Sequence, residues 1–418
     1  MTKRARRVVI TGLGILSSVG IGKERFWEAI SKGRSGIREI TLFNAETYPV
    51  RIAGELPDFD PQFFFPNELV RRSDRYALMG LAATKLALED SKLSGGFAGS
   101  CSKRIGVRVG TVIGALPYAE YAHSIFMEKG ARRLHPFFSS AVLPSSLAAQ
   151  IGILFGVHGS LSTVVTACAS GTTAIGEAFQ MIRRGDFDLV IAGASESPIT
   201  PMVLASFHSV GLLAECDGDP TKACRPFSKD RAGIVLSEGA AMVVLEELSH
   251  ALERRARIYG EVRGYGESFD AYHTHHPMPT AEFSVRAIRD ALASALLPPE
   301  KIDYINPHGS ASIANDYAET LAIKKVFGDK AYRVPISSTK SMIGHALGSC
   351  GALEFVACVL MLEHQYLHPT INLISPDPQC DLDYVPNVGR SQKVDTILTM
   401  SSGFGGYNAA CVLCTYQA

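Results

Sequence analysis

The chain has 418 residues, 46% of them hydrophobic and 20% charged, an ordinary globular composition that is long for a single core and predicts two fused units. Its 41 basic and 41 acidic side chains cancel, which excludes a general binder of nucleic acid or of membrane surfaces. The nine cysteines are scattered and odd in number, so they fit a reducing compartment and predict no disulfide framework and no zinc site.

In chain order, the basic start Lys3-Arg4-Ala5-Arg6-Arg7 precedes an apolar segment that Gly12, Gly14, Ser17 and Ser18 interrupt early, with no cleavage-like end. Residues 7–11 therefore read as a first strand and not as a signal peptide. Gly12-Leu13-Gly14 lacks the third glycine of a dinucleotide loop, so no nucleotide cofactor is expected there. Further Val/Ile-rich strands are predicted at 104–109, 189–192, 241–245 and 396–399, alternating with Ala/Leu-rich helices at 76–91, 174–184, 283–296, 318–326 and 352–363. That alternation predicts an α/β fold with buried sheets. The longest apolar run, 355–362, is far short of the roughly 20 residues a membrane span requires. A soluble, cytoplasmic protein follows.

The richest stretch is Val164-Val165-Thr166-Ala167-Cys168-Ala169-Ser170-Gly171. Residues 164–166 read as the end of a buried strand, and the small residues 169–171 allow a sharp turn into the helix at 174–184. Cys168 then stands at a helix N-terminus, where unpaired amides and the dipole favour its thiolate. Neighbouring amides can also bind a developing oxyanion. On this run alone, a buried structural cysteine is an equal alternative.

The chain also repeats itself weakly. Val8 to Gly14 has an echo in Gly260 to Gly266, and the Cys168 turn has a counterpart in Ile336 to Gly348. Glycine follows three positions after both Cys168 and His345, and each following helix carries an acid, Glu177 and Glu354. The repeat predicts two similar halves, 1–254 and 255–418, with Cys168 and His345 at equivalent helix starts facing across a pseudo-dyad. His308 lies in Asn306-Pro307-His308-Gly309, a strand-to-loop transition that projects its imidazole out of any helix face. One thiol and two imidazoles form a set suited to acyl transfer. Lys340, five residues before His345, is placed to hold a carboxylate or to keep an imidazole neutral. Ser401 to Asn408 is a glycine-rich turn without the Lys-Ser/Thr of a phosphate loop, so its amides suit a carbonyl oxygen. His273, His275 and His276 lack matched acidic or thiol partners, and no metal is expected.

Four collinear motifs, Thr166 to Gly171, Pro307-His308-Gly309 with Asn315-Asp316, Ser338 to His345 and Gly403 to Gly406, closely resemble β-ketoacyl-acyl-carrier-protein synthases. The match is to the elongating Cys-His-His branch, closest to the synthase II type. It spans residues 8–412 and includes Arg225 to Arg231. The resemblance implies a thiolase-like fold, with two five-stranded mixed sheets layered between helices, and a homodimer without cofactor or metal. It further implies that Cys168 takes an acyl group from a carrier-protein thioester. His308 and His345 then promote decarboxylation of malonyl-carrier protein, and the carbanion extends the chain by two carbons in fatty-acid biosynthesis. By the same resemblance, Phe404 is a gate and, with Cys168, an oxyanion-hole residue. Lys340, Asp316 and Glu354 are supporting charges, Ile113 and Phe207 line the acyl channel, and Ser310 and Ser312 bind the pantetheine arm. Arg71 and Arg72 match the carrier-docking patch, and with Arg75 they have a simple solvated face as their alternative.

The sequence departs from the family at Ser402 and Tyr407, where phenylalanine and threonine are common, at His275, where a small hydroxyl residue is usual, and at Gly211, where arginine is frequent. These departures keep open a ketosynthase of a specialised polyketide or polyene pathway. A catalytically silent chain-length partner also remains, opposed by the intact Cys168, His308 and His345. A degradative thiolase would need a second catalytic cysteine near the C-terminus, and Cys411 and Cys414 read as structural residues of the last strand.

Overall fold

The computed structural model describes residues 6–56, 58–97 and 99–417; Lys3, Arg4 and Ala5 of the basic start lie outside the described residues. Its centre is one ten-stranded mixed sheet. The main strands are β1 (Val8–Ser17), β2 (Ile105–Gly110), β3 (Leu161–Val164), β4 (Leu189–Glu196), β5 (Gly239–Glu247), β6 (Gly260–Phe269), β7 (Tyr304–Asn306), β8 (Thr396–Gly403) and β9 (Tyr407–Cys414). Across the sheet they run β7-β8-β9-β6-β1-β5-β4-β2-β3, and Gly20–Ile21 folds back on β1.

The two sides share one pattern of pairing types, and the second side is one parallel strand short. β2 is parallel to β3 and β4, while β5 is antiparallel to β4 and β1. On the other side β7 is parallel to β8, and β9 is antiparallel to β8 and β6. The expected fifth strand of the second side is only a parallel bridge between Ile305 and Ile336. The two sides are not separate sheets either: β1 and β6 pair antiparallel, Val8 with Val262 and Ile10 with Gly260, and fuse them.

The echo between Val8–Gly14 and Gly260–Gly266 has a packing cause. Helix α1 (Arg75–Asp90) lies on β1, α2 (Ser170–Arg184) follows Cys168, and α3 (Glu282–Ala295) lies on β6. A Cβ at Gly12 or Gly14 would come 2.3 or 1.9 Å from the Ala87 or Ala83 carbonyl of α1. A Cβ at Gly264 or Gly266 would come 2.1 or 2.3 Å from the Ala291 or Ala287 carbonyl of α3. Each Gly-x-Gly therefore seats a helix backbone against a strand.

Two further helices, α4 (Ile313–Phe327) and α5 (Cys350–His364), complete the frame. The sheet wraps around α2 and α5, whose apolar side chains share one core with strands of both sides. Leu347–His364 is long and apolar enough to match a membrane span, yet it is 89% buried inside the fold. It is apolar all round because protein surrounds it. Cys411 and Cys414 have a Cys-x-x-Cys spacing but lie on β9, where residues three apart face opposite sides, so they are not a ligand pair.

Candidate active site

Each reactive side chain hangs from the end of a core element. β3 stops at Val164, two residues sooner than the predicted strand end at 166, and Val165 is 53% exposed instead of buried. The chain then turns through Ala167 at φ 49° into Cys168, two residues ahead of α2. His308 follows the short strand β7, which the parallel bond pattern with β8 fixes. His345 comes after the turn Lys340–Ile343, but a 3₁₀ turn, Leu347–Ser349, separates it from α5. Cys168 and His345 are therefore not at equivalent helix starts: two residues precede one helix and five the other.

Cys168, His308 and His345, from both sides of the sheet, line one cavity of about 270 Å³, which also reaches Phe404, Phe207, Ser310 and Ser312. The imidazole rings of His308 and His345 lie 5.3 Å apart and nearly perpendicular. Both have their Nδ1 occupied. The Leu347 amide donates to Nδ1 of His345 at 3.1 Å, and the Lys340 ammonium approaches Nδ1 of His308 at 3.4 Å. An ammonium and an amide only donate, so each ring carries its hydrogen on Nε2. Burial and then the Lys340 charge lower both basicities, His308 well below the ordinary value and His345 to about 3. The pair is a neutral double donor across the pH range of the cell.

Lys340 is fully buried, donates to the His308 carbonyl oxygen at 2.6 Å, and is paired with Glu354. Burial opposes its charge, but the Glu354 carboxylate overcomes burial and raises its pKa. In return, burial lifts Glu354 to about 7 against the pull of Lys340. Glu177, its expected counterpart, faces outward beside Arg108 and has no such role. Asp316 accepts from the Phe227 amide at 2.9 Å and approaches Arg231 at 3.6 Å, tying the Arg225–Arg231 loop beneath the His308 loop.

The thiol contradicts one expectation. Burial pushes Cys168 up to about 11, and the Lys340 charge with the amides of Phe404 and Cys168 opposes this without offsetting it. Desolvation outweighs the helix terminus because Cys168 is only 6% exposed, in an apolar cluster. The same two amides aim at the sulfur, as an oxyanion site requires. Gly403 makes this possible: a Cβ there would come 3.0 Å from the Cys168 nitrogen, so only glycine lets the β8–β9 hairpin abut the turn.

Phe404 stacks on Phe207 at 5.9 Å, and His275 meets its ring edge-on at 5.4 Å. Tyr407 stands at the rim against Phe269, and Gly211 also lies on the cavity wall. Ser310 and Ser312 are 3.2 Å apart on that wall, and Ser312 caps α4. Ile113 does not line the cavity; it packs into the apolar cluster that holds Cys168 and Phe207. Arg71 and Arg72 are exposed beside helix Asn67–Arg71 and away from the cavity. Arg75 is no part of a solvated face, since it forms a two-pronged pair with buried Glu238.

Two buried carboxylates of the site escaped sequence reasoning. Glu319 accepts from the amides of His308 and of Gly309 (2.8 Å) and shapes the loop that aims His308. Burial raises it to about 8. Its spacing of three from Asp316 on one helix face was the available signal. Glu196 ends the fully buried β4 and accepts from the amides of Val112 (2.6 Å), Ile113 (3.1 Å) and Gly348 (3.1 Å), joining the two sides next to the site. An acid closing a run of buried apolar residues was its signal.

Residues 5–251 match the family model "Beta-ketoacyl synthase, N-terminal domain", and residues 259–374 match "Beta-ketoacyl synthase, C-terminal domain". The chain is 42% identical over 408 residues to the 3-oxoacyl-[acyl-carrier-protein] synthase 2 of Coxiella burnetii, covering 98% of each chain. Among solved structures it is similar to the ishigamide ketosynthase/chain length factor, with a TM-score of 0.91 and 35% identity over 99% of this chain and 100% of that one. It is equally similar to a type II polyketide ketosynthase solved with its acyl-carrier protein and bound to a hexaketide, with a TM-score of 0.90 and 35% identity over 99% of this chain and 100% of that one.

Proposed function

The chain belongs to the beta-ketoacyl synthase family and is a condensing acyltransferase with a thiolase-like fold, and we propose that it elongates carrier-bound acyl chains by two carbons with the cavity residues in the following roles. Cys168 attacks the acyl-carrier thioester, the carrier thiol leaves, and the acyl group stays on sulfur. Malonyl-carrier thioester then enters. Loss of carbon dioxide leaves negative charge on its thioester oxygen, and the two Nε2–H groups of His308 and His345 donate to that oxygen. The carbanion attacks the acyl-Cys168 carbonyl, whose oxygen the amides of Cys168 and Phe404 hold, and the sulfur departs as the 3-oxoacyl-carrier product forms.

One observation carries this reading: a thiol and two imidazoles locked as neutral Nε2–H donors line the same cavity. A base at either position would favour hydrolysis or proton abstraction, whereas two neutral donors suit an enolate. Lys340, Glu354 and Asp316 position the imidazoles and their loop. Phe404, held between Phe207 and His275, is the gate. Ile113 with Phe207 limits chain length from the apolar cluster behind Cys168, and Ser310 and Ser312 receive the pantetheine arm. Arg71 and Arg72 dock the acidic carrier.

The division at 254/255 separates the Cys168 half from the half carrying both histidines. We read the protein as a cytoplasmic homodimer in fatty-acid biosynthesis. Strand β3 supports self-association, because it is an edge with exposed Ile153, Leu154 and Val165 beside it. The polyketide-type neighbours, with the altered rim at Ser402, Tyr407 and His275, favour as second reading a ketosynthase of a specialised polyketide or polyene pathway.

The test is to incubate the purified protein with acyl-carrier thioesters of graded length and then with malonyl-carrier. One acyl group on Cys168 by mass spectrometry and a product two carbons longer are expected. The Cys168→Ala variant should take no acyl group, and acylation of that variant would overturn the assignment. A preference for short, polyunsaturated or aryl starters selects the second reading, a ketosynthase of a specialised polyketide or polyene pathway.

A further inference from the structure

A second thiol stands directly behind a catalytic imidazole. Cys350, the first residue of α5, is fully buried and places its Sγ 3.6 Å from Nδ1 of His345, with the Ala346 backbone also beside the sulfur. The Leu347 amide reaches the same Nδ1 at 3.1 Å. A thiol that keeps its proton is a weak donor, and a neutral imidazole nitrogen is a good acceptor. Burial raises the Cys350 pKa far above neutrality, so the sulfur does keep it.

We propose that Cys350 is a positioning residue for the condensation: its S–H donates to Nδ1 of His345 and, beside the Leu347 amide, holds the ring as the Nε2–H tautomer with Nε2 as the free donor. This inference rests on the role proposed above for His345. No proton is transferred in the step; the S–H bond and the Nε2–H bond both persist while the malonyl carbon–carbon bond breaks. Other groups bear on the same ring and thiol. Lys340 disfavours a charged His345 and favours a Cys350 thiolate, while Glu354 and Cys168 oppose that thiolate. The His308 ring lies 5.3 Å away, and Glu196 takes the nearby Gly348 amide. Against this background Cys350 acts locally, on one lone pair.

The test compares Cys350→Ala, Cys350→Ser and unaltered protein in decarboxylation of malonyl-carrier thioester across pH. Removing the donor should lower kcat about three- to tenfold with KM unchanged, the scale of one modest hydrogen bond. It should also leave the Leu347 amide as the remaining donor to that lone pair, ease protonation of Nδ1 and move the acid limb of the profile up by about half a unit to one unit. Cys350→Ser, with a stronger O–H donor, should restore kcat and keep the acid limb at or below its original position. In protein carrying ¹⁵N-histidine, the His345 Nδ1 resonance should move toward a freer lone pair in the alanine variant and toward a more strongly bonded one in the serine variant. An acid limb and a resonance that do not respond to either substitution would overturn the proposal, and the serine variant alone suffices if the alanine variant does not fold. Acylation of Cys168 in the unaltered protein separates the two failures. If it is absent, the proposed function falls; if it is present while Cys350 is silent, only this inference falls.

Discussion

Cys168 shows why a motif does not report its own electrostatics. Its place before α2 suggests a stabilised thiolate, but burial pushes the thiol up to about 11. Alkylation of the free enzyme by iodoacetamide should therefore rise steadily with pH from 6 to 10, following the small thiolate fraction of such a thiol. A plateau reached below pH 8 would contradict this. His345 supports a complementary expectation. As a neutral donor it is needed when the enolate forms, and not when the acyl group transfers to sulfur. His345→Ala should acylate Cys168 but lose about 10² or more in condensation rate. Since burial and Lys340 lower this imidazole to about 3, the unaltered enzyme should show no activity loss from its protonation down to pH 5. Quantified acyl-enzyme and product in single turnovers check both points. The residue types of this site were legible because a thiol in a tight turn and a histidine after a strand are local features. Glu319 and Glu196 were not, because an acid is expected at the surface until the amides that satisfy it converge from distant segments.

At the scale of elements, strand and helix positions followed from hydrophobic period, and the boundaries moved where packing took over. β1 continues through Gly12 and Gly14 to Ser17, although those glycines read as interruptions, because pairing with β5 and the close seat of α1 hold them extended. Gly14→Val should therefore cost stability even though valine favours strands. The added Cβ would meet the Ala83 carbonyl at 1.9 Å, and overpacking of that kind costs about 1–3 kcal/mol or more. Thermal melting checks it, and an unchanged or raised midpoint would refute the close-packing account. The helix Asn67–Arg71 behaves differently. Arg71 and Arg72 are exposed, while Arg75 is consumed by Glu238. Reversing the charge of Arg71 and Arg72 should raise KM for carrier-bound substrate with little change in kcat. An unchanged KM would place docking elsewhere. The fusion of β1 to β6 was illegible for a different reason: it joins residues far apart in the chain, Val8 to Val262 for one, without any local pattern that names the partner.

For the whole molecule, the site imposes a cost that depends on pH. Three histidines are buried neutral: burial takes His345 to about 3, His368 to about 4 and His308 well below its ordinary value. Buried acids among the described residues have raised values, again through burial: Glu196 and Glu354 to about 7, Glu319 to about 8, Asp74 to about 6 and Asp316 above its ordinary value. The histidines bind protons in the unfolded chain below pH ~6.5 but not in the folded one, so there the unfolded state holds more protons and stability falls as pH falls. The acids reverse the sign. Above pH ~4.3 the unfolded chain has released protons that the folded one retains, so stability falls as pH rises until these carboxyls ionise, Asp74 at about 6 and the glutamates at about 7 to 8. Between roughly pH 4.5 and 6.5 the two groups oppose one another, and the dependence on pH is shallow. Below that window the histidines act alone, joined by surface carboxylates such as Asp188, which Arg104 holds at about 2 despite partial burial. Above it the acids act alone. Calorimetry from pH 4 to 9 should accordingly show a broad maximum in the mildly acid range and a decline toward pH 8. Glu319→Gln should make the alkaline decline shallower by up to one proton, about 1.4 kcal/mol per pH unit. A melting temperature that stays level from pH 6.5 to 8.5 would mean that these carboxyls are ionised in the folded protein, and the neutral, desolvated site described here would lose its physical basis.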